Sequence, residues 1–254
     1  MTRSRRLVDL TWPEVHEAAA AGVGVIVPVG STEQHGHHLP LDTDVVLASA
    51  LADAVAEAAE MVVAPAIAYG YRSRPLSGGG ETFPGTVSLS GRTLIGLVEE
   101  VLGGLIRSGF RRLVVLNWHY ENSNFIYESA YLARQATTAD ARIMVVEAAF
   151  AELSEAVMDV LFADVEFRGW DVEHAAVLET SLMLHLRPDR VLFDRAVDDA
   201  SARHPPYDVV PAPDDFIPAS GTLWKATRSS AEKGATAWNE ITTRVRAMVI
   251  AELA

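Results

Sequence analysis

Glu33-Gln34-His35-Gly36-His37-His38 sets a carboxylate and an imidazole two residues apart, and Asp44 follows nine residues after His35. This mixture of oxygen and nitrogen donors suits borderline-hard divalent metals. In an extended segment, side chains two apart point the same way, so Glu33 and His35 can face one ion or two side by side, with Asp44 returning a second carboxylate. His119 and Glu121 repeat the spacing within Asn117-Trp118-His119-Tyr120-Glu121-Asn122. A third cluster, Gly169-Trp170-Asp171-Val172-Glu173-His174, runs into a helix carrying Glu179. Each cluster has a plain structural reading. The first can be a solvated turn. The second can be a strand-to-helix turn capped by Asn122 or Ser123. In the third, Asp171 and Glu173 can favour a positive helix end, where a charged His174 would be unwelcome. Those readings leave unexplained why His/carboxylate pairs recur after separate apolar runs. Convergence of all three fits a two-metal hydrolase. Ligands shared by two ions leave room for a water that loses a proton near neutral pH and attacks a polarised carbonyl. His174 or Glu173 then protonates the leaving nitrogen.

The elements that must position these residues follow from the apolar pattern. Runs at 23–29, 61–67, 113–116 and 143–146 are apolar on both faces, as in a buried parallel sheet. Helical spacing appears at 45–60, 92–108 (Leu94, Ile95, Leu97, Val98, Val101, Leu102), 124–136, 173–186 and 231–253, and a further helix is expected behind Thr11 and Pro13. Alternation of the two implies right-handed βαβ crossovers and a sheet covered on both faces. The first two clusters then fall at strand carboxyl ends, where α/β proteins build sites. With 254 residues, 49% of them hydrophobic, and no linker or repeat, residues 1–254 read as one α/β domain. A Pro-rich loop is expected at 204–218.

Composition narrows the chemistry. There is no cysteine, which excludes disulfides, thiolate metal sites and a cysteine nucleophile, so any metal must be held by His, Asp and Glu. The net charge of −13 argues against nucleic acid as a partner. No apolar stretch reaches the ~18 residues of a membrane span. Asp9, Glu14, His16 and Glu17 break up the stretch behind the basic start, so a signal peptide is not expected and the cytoplasm is the expected location. The glycines at 78–80 lack the Lys-Ser/Thr of a phosphate loop and suit close backbone approach near the site. Ser31 and Ser77 lack a nucleophile elbow. No G-x-G-x-x-G follows a strand. Trp12, Trp224 and Trp238 are expected to pack.

Pro28-Val29-Gly30-Ser31-Thr32-Glu33-Gln34-His35-Gly36, Phe83-Pro84-Gly85-Thr86-Val87-Ser88, His119-Tyr120-Glu121-Asn122 and Gly169-Trp170-Asp171-Val172-Glu173-His174 resemble the creatininase (creatinine amidohydrolase) family, over nearly the whole chain. The resemblance implies a three-layer α/β/α fold with a mainly parallel central sheet, a homo-oligomer, usually a hexamer, and two divalent metal ions. Glu33, Asp44 and His119 match the ligands of one ion, manganese or zinc. His35, Asp44 and Glu121 match those of the second, zinc, with Asp44 bridging. His174 and Glu173 match the acid/base pair, Trp170 an aromatic that covers the substrate, Tyr120 a neighbour of the metals, and Ser77 a substrate-side residue. Phe150 stands where creatininase proper has a second covering tryptophan. Phenylalanine keeps the stacking face and loses the indole N–H. The implied activity is hydrolysis of a small amide, foremost creatinine to creatine. A peptidase or amidase of the same family acting on a peptide or another cyclic or linear amide is the alternative, and a metal-binding protein without turnover the second.

Overall fold

A computed structural model describes residues 4–147, 150 and 152–253. Helix α1 (Trp12–Ala20) begins as expected: the Thr11 N–H donates to the Glu14 carboxylate at 2.7 Å, and Pro13 sits where no helical donor is needed. Then come β1 (Gly24–Val29), α2 (Thr43–Ala59), β2 (Met61–Val63), α3 (Pro75–Gly78), α4 (Gly91–Arg107), β3 (Arg112–Asn117), α5 (Ser123–Gln135), β4 (Arg142–Val146), α6 (Glu155–Leu161), α7 (Val177–Leu186) and α8 (Ala231–Leu253).

The four strands form one parallel sheet in the order β2-β1-β3-β4, with Ile26 opposite both Val63 and Val114, and Val114 opposite Met144. Strand alternation then sorts the core. Ile26, Val114, Leu116 and Val146 face α2, α7 and α8, packing on Leu47, Leu51, Leu182 and Ile241. Val25, Val27, Leu113 and Val115 face α1, α4 and α5, packing on Leu94, Val98, Leu102 and Ile126. The sheet therefore lies between two helical layers, the three-layer arrangement the resemblance implied.

Three expectations are corrected, two boundaries and one packing side chain. The second strand stops at Val63 instead of continuing to Ile67, because Pro28 of β1 has no N–H to give the Ala64 carbonyl; Ile67 rejoins β1 by two bonds, its N–H donating to the Pro28 carbonyl at 2.9 Å and its carbonyl accepting the Gly30 N–H at 3.0 Å. The helix expected at 173–186 starts only at Val177. Residues Trp170–Val172 make a single 3₁₀ turn, Ala175 is left-handed at φ 51°, and the Glu179 carboxylate holds the Ala175 N–H at 2.7 Å. Trp12 does not pack: it is 80% exposed, whereas Trp238 lies against the core. No helix among the described residues is long and apolar enough to cross a membrane.

The chain leaves β1 toward β2 on one side and returns to β3 on the other. The carboxyl ends of β1 and β3 thus border a topological switch point, the crevice in which open α/β sheets bind ligands.

Candidate active site

Glu33 and His35 lie four and six residues past the end of β1, and His119 and Glu121 two and four past β3. Asn117 and Asn122 tie the two strand ends together. Asn122 Nδ2 donates to the Gly30 carbonyl at 3.1 Å and to Asn117 Oδ1 at 3.1 Å, while the Tyr71 N–H donates to Asn122 Oδ1 at 2.7 Å. Asn122 therefore serves the crossover and does not cap α5 with its side chain. Gly30 admits the start of α2: a Cβ there would run into the backbone of Asp44 and Val45. Asp44, in the first turn of α2, is thereby brought between the two strand loops.

Glu33, His35, Asp44 and His119 are all buried. His119 Nδ1 stands 2.9 Å from Glu33 Oε1 and 3.3 Å from Asp44 Oδ2, and His35 Nε2 stands 3.2 Å from Asp44 Oδ1. The outer nitrogens are already engaged, His35 Nδ1 with the Glu33 carbonyl at 3.2 Å and His119 Nε2 with the Tyr71 carbonyl at 2.9 Å. Such second partners orient an imidazole toward a metal. Glu33 Oε2 and Asp44 Oδ2 are buried without a hydrogen bond. Carboxylate oxygens in that state are costly unless a cation meets them. The donor set and its orientation fit divalent metal ions.

Electrostatics follows from the same crowding. Burial opposes the His35 cation, but Asp44 and Glu179 outweigh it and lift the imidazole to about 10. Burial likewise opposes the His119 cation, and Glu33 and Glu121 raise it well above the usual range. Asp44 is held low by His35 and His119 despite burial. His174 is pushed well down by burial and by His35, and is neutral. Burial raises the carboxyls of Glu173 to about 8 and Glu179 to about 7.

The family profile "Creatininase: Creatinine amidohydrolase" matches residues 8–249. The chain belongs to the creatininase family. The creatinine amidohydrolase of Pseudomonas putida is 46% identical over 239 residues, 92% of each chain. A mycofactocin precursor peptide peptidase of Mycolicibacterium smegmatis is 38% identical over 179 residues, 68% of this chain and 62% of that one. Among solved structures, a mutant creatininase of the Zn–Zn type superposes with TM-score 0.93 at 42% identity over 99% of both chains. A mutant creatininase complexed with creatine superposes with TM-score 0.92 at 42% identity over 98% of this chain and 99% of that one.

Within this creatininase-family fold, the metal-ligating atoms of Glu33, Asp44 and His119 lie within 4.8 Å of one another, as do those of His35, Asp44 and Glu179, and those of Glu33, His35 and His174. The first set is the one expected. In the second the structure differs from expectation: Glu179 Oε2, 3.6 Å from His35 Nε2, stands where Glu121 was foreseen. Glu121 is turned toward Ser77, whose Oγ donates to it at 2.5 Å, and its other oxygen is 3.5 Å from His119 Nε2. All these carboxylates line one cavity with Ser77, Tyr120, Phe150, Trp170, Glu173 and His174. Phe150 packs between Trp118 and Trp170 at ring distances of 5.5 and 5.3 Å. His37 is exposed, and His38 bonds Thr180 Oγ1 at 2.8 Å; neither belongs to a ligand group. Glu179 and Trp118 were missed as site residues. Glu179, the single carboxylate of Val177–Leu186, lies in the run that the third cluster enters, and that was the available signal.

Proposed function

We propose that this chain is a dinuclear-metal amidohydrolase that opens a small cyclic amide, foremost creatinine with water to creatine. The observation that carries the reading is the pair of buried, donor-less carboxylate oxygens on Glu33 and Asp44, met by correctly turned imidazoles beside His174. Glu33, Asp44 and His119 would hold one ion, manganese or zinc. His35 and Asp44 would hold the second, zinc, with Glu121 by resemblance and Glu179 at hand. Divalent ions held there supply a polarised amide carbonyl and a water acidic near neutral pH.

The protein's own groups do the rest. Phe150 and Trp170 offer stacking faces for a flat ring. Ser77 and Tyr120 line the substrate side. As the carbon–oxygen bond forms and the carbon–nitrogen bond breaks, the leaving nitrogen must gain a proton. His174, neutral and with Nδ1 3.7 Å from Glu33 Oε1, takes at Nδ1 the proton released by the attacking water and delivers it to the leaving nitrogen. Glu173, protonated at neutral pH, sits directly before it in the chain. We further propose a hexamer, by the resemblance, and a cytoplasmic location, from the interrupted N-terminal stretch.

Glu121→Gln tests the assignment. Turnover of creatinine should fall by about a hundredfold or more, the usual cost of losing one acid/base or ligand carboxylate. Unchanged turnover together with unchanged metal stoichiometry would sink it. A peptidase reading is favoured by the peptidase relative and by a wider recess at the mouth, lined by Arg74, Leu76, Ser77, Tyr120 and Tyr207. Assaying creatinine beside short peptides separates the two.

A further inference from the structure

We propose that Gln34 is the positioning residue of His174: it holds the ring's Nε2–H from behind and leaves Nδ1 bare toward the catalytic cavity. The inference rests on the acid/base use of His174 proposed above.

His174 Nε2 is 2.8 Å from the Gln34 carbonyl oxygen and 2.9 Å from the Gln34 side-chain nitrogen. The two neighbours make opposite demands. The carbonyl can only accept, so it requires a proton on the ring nitrogen; the amide nitrogen can only donate, so it requires that nitrogen bare. Saturation decides between them. The amide has two hydrogens, and two carbonyls already take them, Gly221 O at 2.9 Å and Gly78 O at 3.2 Å. Its oxygen accepts the Gly36 N–H at 2.8 Å, which fixes which end of the amide is which. Every group is satisfied only if Nε2 carries the proton and gives it to the Gln34 carbonyl. A neutral ring has one N–H, so Nδ1 is the bare nitrogen, and it is the one on the Glu33 side.

The seat of this amide is built for it. Gly79 and Gly221 are left-handed, at φ 76° and 80°, and a Cβ on either would collide with the Gln34 amide. Gly78 follows Ser77 directly, so the side chain pins to the substrate-side loop the same residue whose backbone carbonyl holds the histidine. Gln34 also stands between Glu33 and His35, which places the ring in register with two metal ligands. Neither catalysis nor ligation accounts for a fully bonded amide here; orientation of His174 does.

The test uses the full-length, zinc-loaded protein with labelled histidine. Nitrogen NMR, assigned by difference against His174→Gln, should show Nε2 protonated and Nδ1 bare. A proton on Nδ1 overturns the proposal. Gln34→Met keeps the length and the backbone carbonyl but removes the three amide bonds, to Gly78, Gly221 and Gly36, that fix that carbonyl against Nε2. Its kcat should fall about tenfold or more, with KM changed by less than about twofold, and zinc stoichiometry should be unaltered. An unchanged kcat overturns the proposal, and so does a loss that merely follows zinc release or unfolding. Wild-type protein that fails to hydrolyse creatinine would sink the substrate reading alone, because the tautomer is read without substrate.

Discussion

Glu173 keeps an uncharged carboxyl at neutral pH because its surroundings offer a charge almost nothing. Oε2 accepts the Leu178 N–H at 2.9 Å, and Oε1 is buried with no partner. Burial is the main cause of the rise to about 8, and the neighbouring Glu179 adds to it. The sign for stability follows. In the unfolded chain the group titrates near 4.5 and in the folded chain near 8, so the folded state binds the extra proton between those values. Its contribution is complete below about pH 4.5 and is lost as pH rises toward about 8. Glu173→Gln retains an acceptor for Leu178 and cannot ionise. Denaturant unfolding of zinc-saturated protein should show the wild type losing on the order of 1–3 kcal/mol relative to Glu173→Gln across that window. Parallel stability curves for the two proteins would show that Glu173 is not held protonated.

At the scale of elements, the two faces of the sheet separate stability from chemistry. Leu102 lies fully buried in α4, packed with Leu94 and Val98 against Val25 and Leu113, on the layer that carries none of the cavity-lining residues. Leu102→Ala should cost about 2–4 kcal/mol in chemical denaturation, from lost burial and the cavity left behind. The kcat of the folded fraction should not change. A fall in kcat would mean that the α4 layer reaches the site. β1 and β3 were legible in the sequence because Val25–Val29 and Leu113–Leu116 are apolar on both faces, which few environments but a covered sheet accept. The clusters behind them were legible for the same reason, since the strand ends fixed where Glu33, His35 and His119 must fall. Other features depend on distant partners. The shortening of β2 opposite Pro28 was visible in principle, whereas the late start of α7 depends on Glu179 holding the Ala175 N–H. The orientation of Glu121 depends on Ser77, forty-four residues away. Gln34 gave no signal at all, because a glutamine between two ligands looks like a spacer until Gly78, Gly221 and His174 close around it.

Across the whole molecule, the site joins the loop after β1, the first turn of α2, the loop after β3 and the first turn of α7. Each brings buried acidic or basic groups that the bare fold must hold together: Glu33, His35, Asp44, His119 and Glu179. Their mutual pairing offsets part of that cost, yet Glu33 Oε2 and Asp44 Oδ2 stay without donors. Metal ions bound there act on folding as well as on chemistry, because they bind the folded site and not the dispersed ligands. At a hundredfold excess over Kd one ion contributes about 2.7 kcal/mol. For a chain of this size each kcal/mol moves the melting point by about 2–4 °C. Removing the ions with a chelator should therefore lower Tm by about 5–10 °C, and zinc added back should restore it. Asp44→Asn should abolish most of this response, since two of the three candidate ligand sets pass through Asp44 and an amide cannot supply its charge. Calorimetry with and without chelator decides it. A wild-type Tm indifferent to chelator, or an Asp44→Asn protein still stabilised by zinc to the full extent, would show that the four segments are not clamped by shared ions.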